Sequence, residues 1–250
     1  NRELLENNRD RFKPDIDIAK LLKKMVSADN YLMLIKKVKT VMIPTTCGTG
    51  SEATCNAIVA VPEEKSKKGI VNDNMIPDYV ILDAQMIAKL PKSIVAATGV
   101  DALAHVVECY TSKKATPFSD PYAVEGAKLI FRNIREAYNN PDNMEAKNNM
   151  LLGAYYGGIA ITGSGTTAVH ALSYPLGGKF HIAHGVSNAI LFAPVMRCNR
   201  PACEKELAQL CDAVYPECHG QHFVTLYILH MQRNLLRKKQ TTLFPRSQTS

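Results

Sequence analysis

The chain is as informative in what it lacks as in what it contains. No stretch approaches the roughly 20 uninterrupted apolar residues that a membrane-spanning helix needs. Its seven cysteines (47, 55, 109, 198, 203, 211, 218) never form a CxxC pair, and their number is odd. This argues against a disulfide framework or a thiolate zinc site and fits a reducing cytoplasm. The sequence contains no GK[ST] phosphate loop and no GxGxxG dinucleotide motif. There is no signal-peptide pattern, and Asn1 stands where an initiator Met would, so the expectation is a chain that begins inside a longer gene product. Residues 221–250 contain no acid while holding Arg233, Arg237, Lys238, Lys239 and Arg246, so they supply +5 of the formal net charge of +7. The remainder is close to neutral. A solvated tail accounts for the 233–239 cluster better than a nucleic-acid or membrane-surface role does.

What is present is ordinary for a soluble protein: 46% hydrophobic and 21% charged residues over 250 positions, enough for one large domain or two modest ones. Ile18, Leu21, Leu22 and Met25 fall at helical spacing within residues 15–27. Val38-Lys39-Thr40-Val41-Met42-Ile43 reads as a buried strand that stops at Pro44. Residues 57–61 and 79–83 are further strands, with Lys65-Ser66-Lys67-Lys68-Gly69 as a charged turn between them. After Pro91 the texture becomes Ala-rich with a 3.6-residue period up to about 215. The fold class expected is therefore α/β followed by all-α: an α/β domain over 1–90, an all-helical domain over 91–217, and a divergent basic tail over 218–250, poorly ordered.

Three elements are candidates for chemistry. In Gly99-Val100-Asp101-Ala102-Leu103-Ala104-His105 the carboxylate and the imidazole are four residues apart, which places them on one helical face in an apolar setting. A buried pair of that kind needs a partner, and a cation satisfies both. Alone, such a pair is more often simply hydrogen-bonded or solvated. His170 and His184 lie fourteen residues apart, with Pro175-Leu176-Gly177-Gly178 breaking the helix between them and His181 as a third imidazole. Together, one carboxylate and three imidazoles without a thiolate suit Fe²⁺ or Zn²⁺, with room for a substrate oxygen. The third element is the loop Thr45-Thr46-Cys47-Gly48-Thr49-Gly50-Ser51-Glu52 after the first strand. Its small residues and hydroxyls allow close approach of a phosphate-bearing cofactor, or form no more than a flexible turn.

The stretches PTTCGTGSEAT (44–54), LPKSIVAATGVDALAHVVECYTS (90–112) and AVHALSYPLGGKFHIAHGVSNAILFAP (168–194) resemble the iron-containing (type III) alcohol dehydrogenase family, in order and over about four-fifths of the chain. The resemblance implies a partial dinucleotide-binding, Rossmann-like domain facing a helical metal-binding domain, the architecture shared with dehydroquinate synthase. It implies a metal-dependent alcohol dehydrogenase that moves a hydride between a small alcohol or aldehyde and NAD or NADP, with Fe²⁺ (or Zn²⁺) on Asp101, His105, His170 and His184. Thr45, Thr46 and Thr49 would lie against the cofactor, with Thr54 and Asn56 further along the same wall. Lys68 matches a lysine near the cofactor, and Met86 and Leu90 match the nicotinamide end. Family members often associate, so a homo-oligomer is possible; neither nucleic acid nor membrane is expected as a partner. Tyr174 stands where many relatives have another histidine, and His181 matches no ligand position.

The chain also departs from the family. Arg11-Phe12-Lys13-Pro14 stands where relatives carry a GGGS-type phosphate loop, and the family's first βα units and last helices have no counterpart here. A truncated N-terminus and a divergent C-terminus are the expectation. A metal-binding fragment or inactive paralogue unable to hold NAD(P) is the alternative. A hydrolase or lyase on the same ligands is a further rival; it needs a carboxylate base, and Glu108, on a neighbouring helical face, is the only one close in sequence.

Overall fold

The computed structural model describes residue 36 and residues 38–61 and 66–215. The helix expected over 15–27, the Arg11–Pro14 segment and the tail from 218 lie outside the described residues. Within them the order is strands first and helices afterwards. Strand β1 (Val41–Met42) pairs in parallel with β4 (Tyr79–Val80), while β2 (Asn56–Val61) and β3 (Ser66–Val71) form an antiparallel pair. Short 3₁₀ turns occupy Ser51–Ala53, Asp73–Met75 and Ala84–Ile87. Five helices follow: α1 (Lys92–Tyr110), α2 (Ser119–Asn139), α3 (Met144–Ser164), α4 (Ala168–Phe180) and α5 (His184–Val214).

Helix α1 is the centre of the helical part. Every residue from Gly99 to Cys109 is buried, which an apolar stripe on one face alone would not produce. Helices α2, α3 and α5 pack around it. On α2 the inward face repeats as Ala123, Ala127, Ile130, Ile134 and Ala137, the spacing that keeps side chains on one side of a helix. Asn143 caps α3 by accepting from the Ala146 amide at 3.0 Å, satisfying an orphan donor of its first turn.

The loop after β1 is fastened to these helices. Gly50 has φ 57°, and a Cβ there would come within 2.3 Å of the Ala154 carbonyl oxygen on α3. Only glycine combines that left-handed backbone with that approach. Thr162 on α3 donates to the Ala53 carbonyl at 3.2 Å, holding the far end of the same loop.

Three expectations are corrected. The charged segment is not a turn over its described residues, 66–69: Ser66 onward forms β3, in register from Asn56↔Val71 to Val61↔Ser66. Ladder pairing and the fully buried Ile70 outweigh the lysine-rich composition. Pro175-Leu176-Gly177-Gly178 does not break α4, which runs on to Phe180. The helix ends instead at His181, which adopts the left-handed conformation (φ 55°) usual for glycine and donates its amide to the Leu176 carbonyl. Finally, β1 is not a buried strand: Val41 and Met42 are 51% and 43% exposed, since among the described residues β4 alone flanks it.

Candidate metal centre

Asp101 and His105 stand one turn apart on α1, and Glu108 continues the same stripe at the seventh position. Helix α4 delivers His170 from its first turn, and α5 begins at His184. The start of α5 is pressed onto α1: a Cβ on Gly185 would come within 2.3 Å of the Ala97 carbonyl oxygen. That closeness lets the first residue of one helix reach the middle of another.

Three of the four expected ligands converge. Asp101 Oδ1 is 3.5 Å from His170 Nε2 and 3.6 Å from His184 Nε2. One donor atom from each of these residues lies within 4.8 Å of the other two, the spacing of groups able to share an ion. His105 stands beside this trio. Its Nε2 is 4.0 Å from Asp101 Oδ1, its ring stacks on that of His170 with centroids 4.4 Å apart, and its Nδ1 is 3.3 Å from the Gly48 carbonyl oxygen. Since a carbonyl can only accept, Nδ1 carries the proton and Nε2 keeps its lone pair toward Asp101. Asp101, His105 and His170 are buried, while His184 is partly open at 31% side-chain exposure. An ion held here is thus approached from the His184 side.

Glu108 corrects one expectation. It shares the Asp101–His105 stripe instead of a neighbouring face, is fully buried, and spends its carboxylate on the α4 N-terminus. Oε1 accepts from the Thr167 hydroxyl at 2.6 Å and the Val169 amide at 2.7 Å, and Oε2 accepts from His170 Nδ1. The last bond fixes the orientation of the His170 ring, so that Nε2 is the nitrogen that faces the cluster and has a lone pair there once it loses its proton. A carboxylate so committed is not available as the base a hydrolase or lyase would need.

The electrostatics follow from burial and charge. For Asp101 burial works against the charged form, but His105, His170 and His184 more than offset it and keep the carboxyl below its ordinary range. Burial brings His105 down to about 4 despite Asp101. Burial also opposes the charged ring of His170, yet its bonds to Asp101 and Glu108 win and raise it to about 9. Burial holds His184 below its usual value, with Asp101 pulling the other way. At neutral pH the cluster therefore holds an ionised carboxylate, two neutral imidazoles and one proton on His170.

Around the trio, Tyr174 stacks on His184 with centroids 6.3 Å apart, and burial raises its pKa. His181 is exposed at the end of α4. The residues expected along the cofactor are spread over several elements. Thr45 and Thr49 are exposed on the 45–50 loop, and Thr46 is half-buried there. Thr54 is buried, and its hydroxyl closes the 51–53 turn by donating to the Ser51 carbonyl at 3.2 Å. Asn56 and Lys68 lie on the paired strands β2 and β3, Met86 is 48% exposed in the 84–87 turn, and Leu90 packs on the core.

Sequence reasoning missed the positioning role of Glu108 and missed Asn188 altogether. Asn188 donates from Nδ2 to Asp101 Oδ1 at 2.6 Å. It follows His184 at the same four-residue spacing that separates Asp101 from His105, and that signal was available.

Comparison with known proteins shows the family to which the chain is similar. Residues 95–238 match the family model described as Fe-containing alcohol dehydrogenase family, C-terminal, and residues 15–84 match that of iron-containing alcohol dehydrogenase. The chain is 40% identical over 210 residues to long-chain-alcohol dehydrogenase 1 of Geobacillus thermodenitrificans, covering 80% of this chain and 53% of the relative. It is 33% identical over 183 residues to the NAD-dependent methanol dehydrogenase of Bacillus methanolicus, covering 73% and 48%. The iron-containing alcohol dehydrogenase of Thermotoga maritima superposes with a TM-score of 0.72 at 32% identity, covering 86% of this chain and 56% of that one. The chain spans about half the length of the curated relatives it matches.

Proposed function

The chain belongs to the iron-containing alcohol dehydrogenase family, and from that premise we propose that it is a metal-dependent dehydrogenase of small alcohols and aldehydes, linked to NAD or NADP. The observation that carries this reading is the convergence of Asp101, His170 and His184 on one point inside the helical part. The donor set fits the ion: a carboxylate oxygen and imidazole nitrogens, with no cysteine among the converging groups, suit Fe²⁺ or Zn²⁺. The ligands proposed are Asp101, His105, His170 and His184. When bound, such an ion polarises an alcohol or carbonyl oxygen, and the hydride chemistry belongs to the nicotinamide.

The chain's own residues do the positioning. Glu108 binds Nδ1 of His170, so that Nε2 is the ring nitrogen turned to the site and free to bind once its proton has left. Tyr174, whose hydroxyl is protonated at neutral pH in any case and is pushed further up by burial, offers a hydroxyl donor beside His184 rather than a base. Among the described residues no other side chain at the cluster is suited to take the alcohol proton, which leaves water or the cofactor ribose as its exit. The cofactor is proposed to lie along Thr45, Thr46, Thr49, Thr54, Asn56, Lys68, Met86 and Leu90, within an α/β domain ending near residue 90 and facing the helical domain of 91–217. NAD is the first candidate, since the Bacillus methanolicus relative is NAD-dependent. The six described cysteines form no disulfide with one another, which suits a cytoplasmic setting. Among the described residues no helix is long and apolar enough to cross a membrane.

A second reading has one specific observation in its favour. Arg11-Phe12-Lys13-Pro14 stands where the family resemblance puts the glycine-rich loop that admits a pyrophosphate, so the chain would bind metal without holding NAD(P). Fluorescence titration with NADH separates the two: saturable binding, followed by NADH oxidation by a small aldehyde in the metal-loaded protein, supports the dehydrogenase. No saturable binding supports the second reading.

A further inference from the structure

Asn188 is buried completely, one turn beyond His184 on α5, and its carboxamide is only half accounted for. Nδ2 lies 2.6 Å from Asp101 Oδ1, 3.1 Å from His170 Nε2 and 3.4 Å from His184 Nε2. Three atoms thus crowd a group with two hydrogens. At the other end, Oδ1 has no partner, the only buried side-chain nitrogen or oxygen among the described residues in that position. A buried carbonyl-type oxygen without a donor is unfavourable and calls for a reason.

Asp101 presents a carboxylate oxygen, and His170, whose Nδ1–H donates to Glu108, presents Nε2, which offers a lone pair once its own proton is displaced by an ion. Lone pairs that converge on one point are satisfied by a cation. A carboxamide facing a cation must then turn its oxygen toward it, because an NH₂ group would aim hydrogens at positive charge. Half a turn of the amide exchanges the two ends at no change in volume and ends the isolation of Oδ1.

The geometry points to Asn188 as a further protein group of the cation site, acting through its carboxamide oxygen. The inference rests on the reading of Asp101, His170 and His184 as that site. Asn188 supplies a neutral oxygen donor from the same helix face as His184, so α5 contributes a four-spaced pair of ligands as α1 does. When the amide turns, Asp101 Oδ1 gives up its hydrogen bond from Nδ2 and is free for the ion.

The test uses the full chain and Co²⁺ alone as the probe, with affinity read by chelator competition and coordination read by visible absorption. Wild type binds Co²⁺ saturably. Asn188→Leu, close in size but without the oxygen, binds at least about 10-fold more weakly, and its absorption changes in position and intensity because a ligand is lost. Asn188→Asp, which keeps an oxygen in place, binds as tightly as wild type or more so and keeps the wild-type band shape. An unchanged affinity and spectrum in the Leu variant overturns the inference. If the Leu variant does not fold, weaker binding or an altered band in the Asp variant overturns it. Asp101→Asn separates the two layers: wild type and Asp101→Asn alike in failing to bind Co²⁺ would remove the cation site itself. Loss in Asp101→Asn with wild-type behaviour in Asn188→Leu removes only the role of Asn188.

Discussion

Glu108 and His170 meet across the contact of α1 with α4, the carboxylate accepting the Nδ1 proton of the ring while also binding the Thr167 hydroxyl and the Val169 amide. One acidic side chain thus fixes both the start of a helix and the orientation of the first histidine on it. Replacing Glu108 by Gln keeps the shape and removes the charge. Metal affinity is expected to fall by about 10- to 100-fold, and the pKa of His170 is expected to drop, since the carboxylate helps hold it up. Chelator competition and NMR titration of the ring measure the two effects. A Gln variant with wild-type affinity and an unmoved His170 would show that the contact is only structural.

Cation binding should displace a proton. At pH 7.5 His170 is protonated, its pKa being raised to about 9, while His105, at about 4, is neutral. His184 is held below its ordinary value and is neutral too, and Asp101 is ionised. Binding is therefore expected to release about one proton. Calorimetric titration in two buffers of different ionisation enthalpy reads this directly, and equal apparent enthalpies would contradict it.

The metal-free protein should lose stability on both sides of neutrality. His170 is raised in the folded state, so between about 6.5 and 9 the folded protein binds more protons than the unfolded one. Its contribution is full below about 6.5 and is lost as pH rises through about 9. His105 is depressed to about 4, so its contribution is full above about 6.5 and is lost as pH falls through about 4. Urea unfolding across this range, with chelator present, is expected to give a maximum near neutral pH. The alkaline loss should disappear in His170→Gln.

Gly50→Ala is expected to destabilise the protein by about 2 kcal/mol or more, since it sets a Cβ against the Ala154 carbonyl oxygen in a left-handed backbone. A melting temperature within 1 °C or so of wild type would show that the 45–50 loop yields without cost.

The converging residues were partly legible in the sequence because part of their signal is local. Asp101 and His105 are one helical turn apart, and an apolar helix all around them makes a polar pair conspicuous. What joins them to His170 and His184 is tertiary, and the family resemblance supplied that link. Glu108 could be placed near His105, but its partner is 62 residues away, beyond any periodicity. Asn188 was overlooked because asparagine is not a usual metal ligand, although its four-residue offset from His184 was in view. Strand β3 was hidden by composition: Lys67 and Lys68 look like a turn until pairing with β2 and the burial of Ile70 are known. Pro175 looked like a helix breaker, yet α4 carries it and ends at His181.

The most direct test of the central claim is the metal content of the chain after anaerobic loading with Fe²⁺ and removal of excess ion. The account predicts a single ion per chain in wild type, with binding lost in Asp101→Asn and in His184→Ala while the helical signature of both variants is unchanged. Wild type that retains no ion, or variants that retain as much as wild type, would contradict it.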